Sequence, residues 1–395
     1  MAKVAIKSAN TAFSANLANT TYVLGAKQAL DVDDSQAIDA TMNVAGRAFE
    51  LYGDITSTGY GIQVGAIGGA SAPAFVHVGQ SGSILAQYSA IVMRGAGHSV
   101  FNEGSLTSTD TSAVVYGDGD DFSLTNSGAI SGVSTGVQFG GGGGLLVNRG
   151  TIDASIAVVN QSETGSTSRI VNHGTIHGTQ TAINSGDGND TLINIGTING
   201  SVYLGYGDDI FRNKGGEASG LVQGGLGNDT FILDRTDLVI EEGANWGFDT
   251  VKSSVDWVLG ANFEMLILTG KADRAATGNS LSNFINGNRG DNVISGGAGQ
   301  DYIAGMGGND RLTGGADADT FHFILHGGTD RITDFQNGFD KINLSAFNEV
   351  IDFADLIAHH ISVRNGDDLL IQLGDDRIII ENTPLDTLSD TSFIF

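Results

Sequence analysis

The sequence contains no cysteine and only two prolines among its 395 residues. Without cysteine the chain has no disulfide framework, and most kinds of structural zinc site are excluded. Basic residues are also few, because 19 lysines and arginines stand against 45 aspartates and glutamates, which gives a formal net charge of −26. A chain this acidic repels nucleic acid and anionic lipid surfaces and attracts cations.

Long apolar runs are absent as well. No stretch approaches the roughly 20 apolar residues that a membrane-spanning helix needs, so we expect no transmembrane segment. Residues 1–25 contain two lysines but no continuous apolar segment, and they therefore do not resemble a cleaved signal peptide. If the protein is exported, we expect a route that does not read the N-terminus.

Glycine, by contrast, is abundant, with 59 residues. These glycines follow no collagen period and accompany a hydrophobic content of 40%. The combination is typical of turn-rich repeat proteins built from β-strands and not of disordered chains. The sequence contains two internal repeats of this kind.

The first repeat has the form N-x-G-[TAS]-[IL]. Its strong copies begin 24, 22, 24 and 22 residues apart, a length that suits one coil of a parallel β-helix. The pattern predicts asparagine and glycine stacked at a turn, followed by an isoleucine or leucine that points into the core. We assign this β-helix to residues 44–233. The strong copies begin at Asn102, Asn126, Asn148, Asn172 and Asn194, and weaker copies begin at Gln80 and Asn213.

Glycine-rich acidic loops precede several of these turns. The loops end at Asp121, Asp190, Asp209 and Asp229. Since the steps between the last three are 19 and 20 residues, we expect only Asp190, Asp209 and Asp229 to stack in successive coils and to bind metal. At the equivalent place in another coil, residues 140–144 are all glycine and supply no carboxylate.

The second repeat is nine residues long and starts at Gly278. Its five copies are GNSLSNFIN, GNRGDNVIS, GGAGQDYIA, GMGGNDRLT and GGADADTFH. The eighth residue of each copy is apolar, which fits a half-coil made of a turn and a short strand with one side chain in the core. Two half-coils form one turn of a solenoid, in which residues two repeats apart stack at about the 4.8 Å strand spacing.

In this geometry Asp301 and Asp319 lie on one edge of the solenoid, and Asp310 lies on the other. Glycine allows the positive φ angles of such turns and lets backbone carbonyl groups converge. Convergent carbonyl groups and carboxylates form a hard-oxygen site that suits Ca²⁺ better than zinc or copper. We expect each Ca²⁺ to lie between two stacked loops of one edge, with carbonyl ligands from one loop and carboxylate ligands from both.

These nonapeptides resemble the GGxGxDxUx repeats of the RTX (repeats-in-toxin, or hemolysin-type calcium-binding) proteins, in which U is a large apolar residue. The resemblance implies a calcium-loaded parallel β-roll at residues 278–322. The segment from Phe248 resembles the strand-rich region that precedes such repeats in serralysin-type C-terminal domains, and the segment from Gly328 resembles the region that caps the roll.

The predicted fold class is therefore all-β, with a parallel β-helix solenoid followed by a calcium-binding parallel β-roll. The expected domains are an N-terminal cap (1–43), the β-helix (44–233), a bridging module (234–277), the roll (278–322), and a C-terminal cap and secretion segment (323–395).

Several positions depart from the RTX pattern. Asn283 and Asn292 replace the loop aspartate in the first two repeats, so we expect these repeats to bind Ca²⁺ weakly or not at all. Met306 and Asp317 replace loop glycines, and Asp317 is either an additional ligand or a solvated acid. The predicted metal-binding residues are Gly296, Gly297, Gly299, Asp301, Gly305, Gly307, Asn309, Asp310, Gly314, Gly315, Asp317, Asp319 and Asn292, together with the upstream Asp190, Asp209 and Asp229.

The resemblance implies a secreted bacterial calcium-binding protein that folds on binding Ca²⁺ outside the cell. The residues SDTSFIF resemble the uncleaved C-terminal signal of RTX proteins that the type I (ABC) secretion machinery exports. We expect a surface-associated or adhesive protein, with extracellular polysaccharide or a cell surface as a further partner. The alternative is a polysaccharide-modifying enzyme, a lyase or epimerase with a catalytic β-helix, although no repeated cluster of acid, base and arginine marks an active site.

Overall fold

The computed structural model describes residues 2–6, 13–14, 20–32, 36–40, 47–65, 73–161, 165–364 and 366–395. The regular structure is nearly all β-strand, and the chain forms two units. Unit 1 comprises Met1–Asp229 with Leu238–Ile240, and unit 2 comprises Thr230–Asp237 with Glu241–Phe395.

Unit 1 is a parallel β-helix whose coils contain three strands. Each strand pairs with the strand at the same position of the next coil, as Val100 does with Leu124 and Leu124 with Leu146. One strand of each coil lies in a first sheet, and the other two lie in a second sheet. The first-sheet strands are Ala2–Ile6, Thr20–Leu24, Ala48–Leu51, Phe75–Val78, Ser99–Asn102, Phe122–Asn126, Gly144–Asn148, Arg169–Asn172, Thr191–Asn194 and Ile210–Asn213.

In the coils that carry the asparagine motif, the second-sheet strands follow the asparagine turn. Where a coil's two second-sheet strands run on without a break, as in Thr151–Asn160 and Thr175–Asn184, the register shifts after Ala154. The second-sheet strands of unit 1 are Phe13–Ser14, Ala29–Val32, Gln36–Ala40, Asp54–Ser57, Tyr60–Val64, Ser83–Ala86, Ile91–Arg94, Ser105–Ser108, Ala113–Asp118, Ala129–Gly132, Thr135–Gly140, Thr151–Asn160, Thr175–Asn184, Thr197–Asn199, Val202–Tyr206, Glu217–Ala218, Leu221–Leu226 and Val239–Glu241, the last of which starts in unit 1.

The asparagine of the first repeat ends a first-sheet strand, and its side chain is fully buried at the turn. From Asn102 to Asn194, each Nδ2 group donates to the Oδ1 atom of the asparagine in the next coil at 2.7–2.9 Å, so the side chains form a continuous ladder. The apolar residue of each motif, such as Ile152, is buried in the core. The predicted stacking is confirmed. The asparagine ladder consists of Asn102, Asn126, Asn148, Asn172, Asn194 and Asn213.

Of the two weaker copies of the motif, only Asn213 belongs to this ladder. The register partner of Asn102 in the preceding coil is Val78, and Gln80 is exposed. The prediction for Gln80 was wrong because the turn there is longer. Four residues separate Val78 from Ser83, whereas two separate Asn102 from Ser105, the register partner of Ser83.

Unit 2 is a parallel β-roll whose coils place one strand in each of two sheets. The eighth residues of the nonapeptides stack as predicted, with Ile285, Ile303 and Phe321 in register in one sheet and Ile294 and Leu312 in the other, all fully buried. In unit 2, the strands of the sheet that contains Ile303 are Thr230–Leu233, Thr250–Ser253, Met265–Leu268, Phe284–Asn286, Tyr302–Ala304, Thr320–His322, Lys341–Asn343 and Phe393–Ile394. The strands of the sheet that contains Ile294 are Trp257–Val258, Ala275–Thr277, Val293–Gly297, Arg311–Gly315, Thr329–Ile332, Ile361–Arg364, Asp368–Leu373 and Asp376–Ile380.

The C-terminal part of unit 2 changes from parallel to antiparallel pairing. Asp376–Ile380 pairs in parallel with Thr329–Ile332 and antiparallel with Asp368–Leu373, which in turn pairs antiparallel with Ile361–Arg364. The helical segments are short: an α-helical turn at Phe353–Asp355, a π-helical turn at Leu356–His360, and 3-10 turns at Leu385–Thr387 and Asp390–Ser392.

The predicted N-terminal cap, residues 1–43, lies partly outside the described residues. Within it, Ala2–Ile6 and Thr20–Leu24 pair in parallel. Across the described ranges of the chain, no helix has the length and apolarity needed to cross a membrane.

Candidate metal centre

The loop aspartates of unit 2 are buried because of their position relative to the inward-facing apolar residue. Asp301 and Ile303 are two residues apart, and alternate residues of an extended chain point to the same face. The carboxylate therefore points inward beside the stacked apolar side chains. Asp301, Asp310 and Asp319 are each at most 2% exposed.

On the first edge, the buried carboxylates are linked from turn to turn through the backbone. The backbone N–H of Asn283 donates to Oδ1 of Asp301 at 2.8 Å, and that of Asp301 donates to Oδ1 of Asp319 at 2.9 Å. The N–H of Asp319 continues the row by donating to Oδ1 of Asp340 at 2.9 Å. Each carboxylate therefore bridges to the preceding coil with one of its two oxygens.

The second oxygen of the inner carboxylates is left without a partner. Oδ2 of Asp301 and Oδ2 of Asp319 are buried and make no hydrogen bond. The ends of the row differ: Asn283 accepts from a backbone N–H of its own loop and donates to a carbonyl group of the preceding coil, and Oδ2 of Asp340 accepts from a backbone N–H of its own loop. Unpartnered oxygens thus occur between two ends that are fully hydrogen-bonded.

The second edge repeats this arrangement one half-coil away. The backbone N–H of Asn292 donates to Oδ1 of Asp310 at 2.7 Å, and that of Asp310 donates to Oδ1 of Asp330 at 2.9 Å. Oδ2 of Asp310 is buried without a partner. The amide of Asn292, at the start of the row, both accepts from and donates to Asn288.

The first glycine of a nonapeptide makes room for the unpartnered oxygen. A Cβ atom added to Gly296 would lie 2.2 Å from Oδ2 of Asp301 and 2.6 Å from the carbonyl oxygen of Gly314. The corresponding distances to Oδ2 at Gly305 and Gly314 are 2.1 and 2.2 Å. A carboxylate oxygen and, at Gly296, a backbone carbonyl oxygen thus converge on space that only glycine leaves open.

Other loop positions favour glycine because of their backbone angles. At the second position Gly297 has a φ of +112°, and at the fourth position Gly308 has a φ of +114°. Met306 and Asp317 occupy these two positions in other loops and adopt φ angles of +73° and +77°. A left-handed conformation costs a residue with a side chain roughly 1–2 kcal/mol, so stacking between coils imposes the loop conformation even where glycine is missing.

Three of the predicted ligand residues have other surroundings than expected. A Cβ atom at Gly307 would contact nothing closer than 3.9 Å, whereas a Cβ atom at the adjacent Gly308 would lie 2.3 Å from a carbonyl oxygen of the preceding coil. Asn309 is exposed and hydrogen-bonds to loops on both sides. Asp317 is exposed, and its Oδ2 accepts from the backbone N–H of Gly299 at 3.2 Å.

Two residues of the carboxylate rows, Asp330 and Asp340, were missed in the sequence. Each precedes by two residues an isoleucine, Ile332 or Ile342, that is in register with an eighth residue of the repeat. The pattern of an aspartate, any residue and a large apolar residue was therefore present. Each of these aspartates lies 20 or 21 residues after the preceding aspartate of its row, instead of 18. A strict nine-residue frame therefore does not include it.

Burial makes the ionised form of these carboxylates costly. The pKa of Asp301 is raised to about 7 and that of Asp319 to about 6, against an ordinary value of 3.8. Burial is the largest cause; neighbouring carboxylates add to the rise, and the backbone N–H hydrogen bonds oppose it. Burial, followed by the charge of Asp330, raises the pKa of Asp310 to about 8. In the absence of a cation, the raised pKa values therefore favour protonation of the carboxylates in each row.

The donor groups fit Ca²⁺. Within the residues that the structure describes, no three histidine, cysteine, aspartate or glutamate side chains come together, so an ion needs backbone carbonyl ligands as well. Carboxylates and carbonyl groups are the ligands that Ca²⁺ prefers. Buried, unpartnered carboxylate oxygens beside carbonyl groups are stable only with a neutralising partner.

The three upstream aspartates lie in unit 1 and form a similar row. The backbone N–H of Asp190 donates to Oδ1 of Asp209 at 2.6 Å, and that of Asp209 donates to Oδ1 of Asp229 at 2.8 Å. All three are 1% exposed. Asp121, which we did not expect to stack, is exposed, has a φ of +60° and precedes the buried Phe122.

Comparison with known proteins agrees with this geometry. The RTX calcium-binding nonapeptide repeat, in a family model of four copies, matches residues 277–312 and 301–323. The class of protein is therefore clear: an all-β parallel solenoid that carries RTX calcium-binding repeats.

No curated protein matches the chain. Among solved structures, the AlgE6R3 subunit from the Azotobacter vinelandii mannuronan C5-epimerase is 26% identical, with a TM-score of 0.28, over 32% of this chain and 81% of that one. The extracellular lipase LipA from Serratia marcescens is 20% identical, with a TM-score of 0.26, over 59% of this chain and 41% of the lipase. TM-scores this low carry no information about the activity of this chain.

Proposed function

We propose that unit 2 binds Ca²⁺ between its stacked loops and needs the ion to complete its fold. Asp301 and Asp319 would hold Ca²⁺ on the first edge and Asp310 on the second, together with carbonyl groups of the glycine loops. The bound ion neutralises the carboxylates and joins successive coils. The observation that carries this proposal is that Oδ2 of Asp301 and of Asp319 is buried without a hydrogen-bond partner beside a glycine backbone.

Calcium titration of the full-length protein tests the proposal. After removal of divalent ions with a chelator, addition of Ca²⁺ should increase the β-sheet circular dichroism signal. Extracellular calcium modules bind at about 10⁻⁴ to 10⁻³ M, and we expect a midpoint in that range. Mg²⁺ at equal concentration should have little effect because it requires a small octahedral site and gives up its water reluctantly. A protein that is equally folded in chelator, or that responds equally to Mg²⁺, would contradict the proposal.

We further propose that the protein is secreted and folds outside the cell. An affinity in the range above leaves the rows empty of Ca²⁺ in a calcium-poor cytosol, where the charge repulsion within each row opposes folding. An unfolded chain is the form that an exporter can thread. RTX repeats and the SDTSFIF segment support export by type I machinery.

Deletion of Asp390–Phe395 tests this export route. In a host that carries a type I exporter, the deleted protein should stay in the cytosol while the full-length protein reaches the medium. Because Phe393–Ile394 also pairs with Lys341–Asn343, the calcium response of the purified deleted protein must be measured as a control. Retention with a normal calcium response indicates loss of the signal, and undiminished secretion would show that the signal lies elsewhere.

A surface-associated or adhesive role is the most direct use for a folded extracellular solenoid with a net charge of −26. Cell fractionation tests it. The protein should be recovered on the cell surface in the presence of Ca²⁺ and released by chelator. Recovery in the medium alone under both conditions would contradict surface association.

A further inference from the structure

Unit 1 contains a second group of loops whose backbone resembles that of the nonapeptide loops, outside the residues that match the RTX repeat. These upstream loops are 185–190 and 204–209, and each ends in a buried aspartate. Their second and fourth positions are glycines in the left-handed region, with φ angles of +86° and +111° in the first loop and +118° and +122° in the second. The same positions have the same sign of φ in the nonapeptides.

The stacking of these loops also matches that in unit 2. A Cβ atom at Gly205 would lie 1.8 Å from the carbonyl oxygen of Gly186, as one at Gly315 would lie 2.1 Å from that of Gly297. The backbone N–H of the third position donates to the same carbonyl oxygen of the preceding coil in both cases, at 3.0 Å from Tyr206 and 2.9 Å from the residue after Gly315. The loops of both units therefore bring their carbonyl groups together in one way.

The carboxylates of the upstream loops are buried and only partly hydrogen-bonded. Asp190 and Asp209 are 1% exposed, and Oδ2 of each has no hydrogen-bond partner. Their Oδ1 atoms accept from the backbone N–H groups of Ser168 and of Asp190, respectively. Ser168 stands at the register position of Asp190 one coil earlier, so the row of acids starts at Asp190, where the first charge is buried.

We propose that the upstream loops bind a second group of Ca²⁺ ions, in unit 1, between the coils that carry Asp190, Asp209 and Asp229. Because only oxygen atoms converge there, the ligand class is a hard divalent cation, and the irregular loop cage favours Ca²⁺ over Mg²⁺. Each of these coils would have an ion-binding edge at the aspartates and, at its other turn, the asparagine ladder, which is complete without ions.

Three differences explain why the repeat pattern does not extend to these loops. Ser185 and Leu204 stand at the first position, where the nonapeptides have glycine. The coils are 19 or 20 residues long instead of 18. The other turn of each coil carries the asparagine motif instead of a second nonapeptide. None of these differences removes a carboxylate or either of the left-handed glycines.

Counting bound ions on the full-length protein by native mass spectrometry tests the inference. Asn283 and Asn292 show that asparagine fits the buried position of a loop aspartate, so Asp→Asn is the chosen substitution. Asp209→Asn should lose at least one Ca²⁺ relative to the unmodified chain. Asp121→Asn, in an acidic loop of the same unit but exposed and outside the row, should lose none.

A second variant covers the case in which Asp209→Asn does not fold. Asp301→Asn, Asp310→Asn and Asp319→Asn together neutralise the rows of unit 2 and leave unit 1 unaltered. This triple variant should bind fewer ions than the unmodified chain yet still retain Ca²⁺, and adding Asp209→Asn should remove ions from it. If the triple variant binds no Ca²⁺, the inference about unit 1 is wrong while the proposal for unit 2 holds. If it binds as many ions as the unmodified chain, the proposal for unit 2 fails instead.

Discussion

Replacing Asp301 and Asp319 together with asparagine should lower the calcium concentration that the calcium-binding part of unit 2 needs to fold. The substitution removes two buried charges but keeps an oxygen that can accept the backbone N–H bonds from the preceding coil. The chain already uses asparagine at Asn283, where the amide is buried and fully hydrogen-bonded. The effect should therefore come from the charge.

The size of the effect follows from the pKa values. The pKa of Asp301 rises from 3.8 to about 7 and that of Asp319 to about 6. At about 1.36 kcal/mol for each pKa unit, keeping both carboxylates ionised at pH 8 costs about 4 and 3 kcal/mol, or about 7 kcal/mol together. The whole free energy of unfolding of a typical domain is only about 5–15 kcal/mol. Without a cation, this cost is enough to open the coils that carry the row.

Hydrogen exchange measured by mass spectrometry on the full-length protein is the appropriate assay, because it reports the strands Tyr302–Ala304 and Thr320–His322 separately from unit 1. In chelator at pH 8, the unmodified protein should exchange these amides rapidly, and Ca²⁺ should slow exchange by roughly 10³-fold or more, since about 1.4 kcal/mol is a factor of ten. The double asparagine variant should exchange more slowly than the unmodified protein in chelator. Ca²⁺ should slow its exchange by a smaller factor, because only the second edge, with the buried Asp310, still needs the ion.

The double alanine variant is the control. Asp301→Ala with Asp319→Ala removes the same charges but also leaves the backbone N–H groups of Asn283 and Asp301 without acceptors, at about 1–3 kcal/mol each. It should therefore be less protected than the asparagine variant, both in chelator and with Ca²⁺. The charge argument is refuted if the unmodified strands are already protected in chelator, or if the asparagine variant needs as much Ca²⁺ as the unmodified chain.

Three further predictions concern the same features. In chelator, folded unit 2 retains protons that the unfolded chain releases, because the pKa values of Asp301, Asp310 and Asp319 are raised to about 7, 8 and 6. Its stability should therefore fall as the pH rises from about 4 to about 8, and circular dichroism should show β-structure returning on acidification from pH 8 to pH 5. Gly308→Ala should weaken the calcium response because of its positive φ and a 2.3 Å contact, whereas Gly307→Ala, with open space around it, should leave the calcium midpoint unchanged. Asn148→Ala should lower the free energy of unfolding of unit 1 by about 2 kcal/mol or more in urea titrations, because it interrupts the buried ladder. Gln138→Ala, at a half-buried residue whose hydrogen bond to Gln161 is exposed, should change it by less than about 0.5 kcal/mol.

The sequence predicted those parts of the fold that depend on spacing. Residues that recur at a fixed step must stack in a solenoid, so the register of Ile303 with Phe321 and the ladder through Asn148 followed directly from the repeats. The division of Asp301 and Asp310 between two edges followed in the same way. A single buried apolar side chain in each half-coil is a strong enough constraint to determine which residues face inward.

The parts that were missed depend on turn length and backbone angle. Gln80 was misplaced because its turn is longer, and Asp330 and Asp340 were overlooked because insertions lengthen their coils. Gly307 and Gly308 are neighbours of identical type, and only the φ angle at Gly308 and its contact with the preceding coil distinguish them. A sequence pattern records residue types and steps, whereas these distinctions arise from how the backbone closes each loop.

The asparagines at the start of each row, Asn283 and Asn292, have a consequence for the rate of folding. Their hydrogen bonds are complete without an ion, and in a repeat protein each coil is stabilised mainly by its neighbours. The parts of the coils that contain Asn283 and Asn292 can therefore form a folding nucleus. The coils that carry the loop aspartates then add to it one at a time as each binds Ca²⁺. Folding after rapid mixing with Ca²⁺ should then begin without a lag and should advance from Asn283 towards Asp340, instead of waiting for the simultaneous capture of several ions.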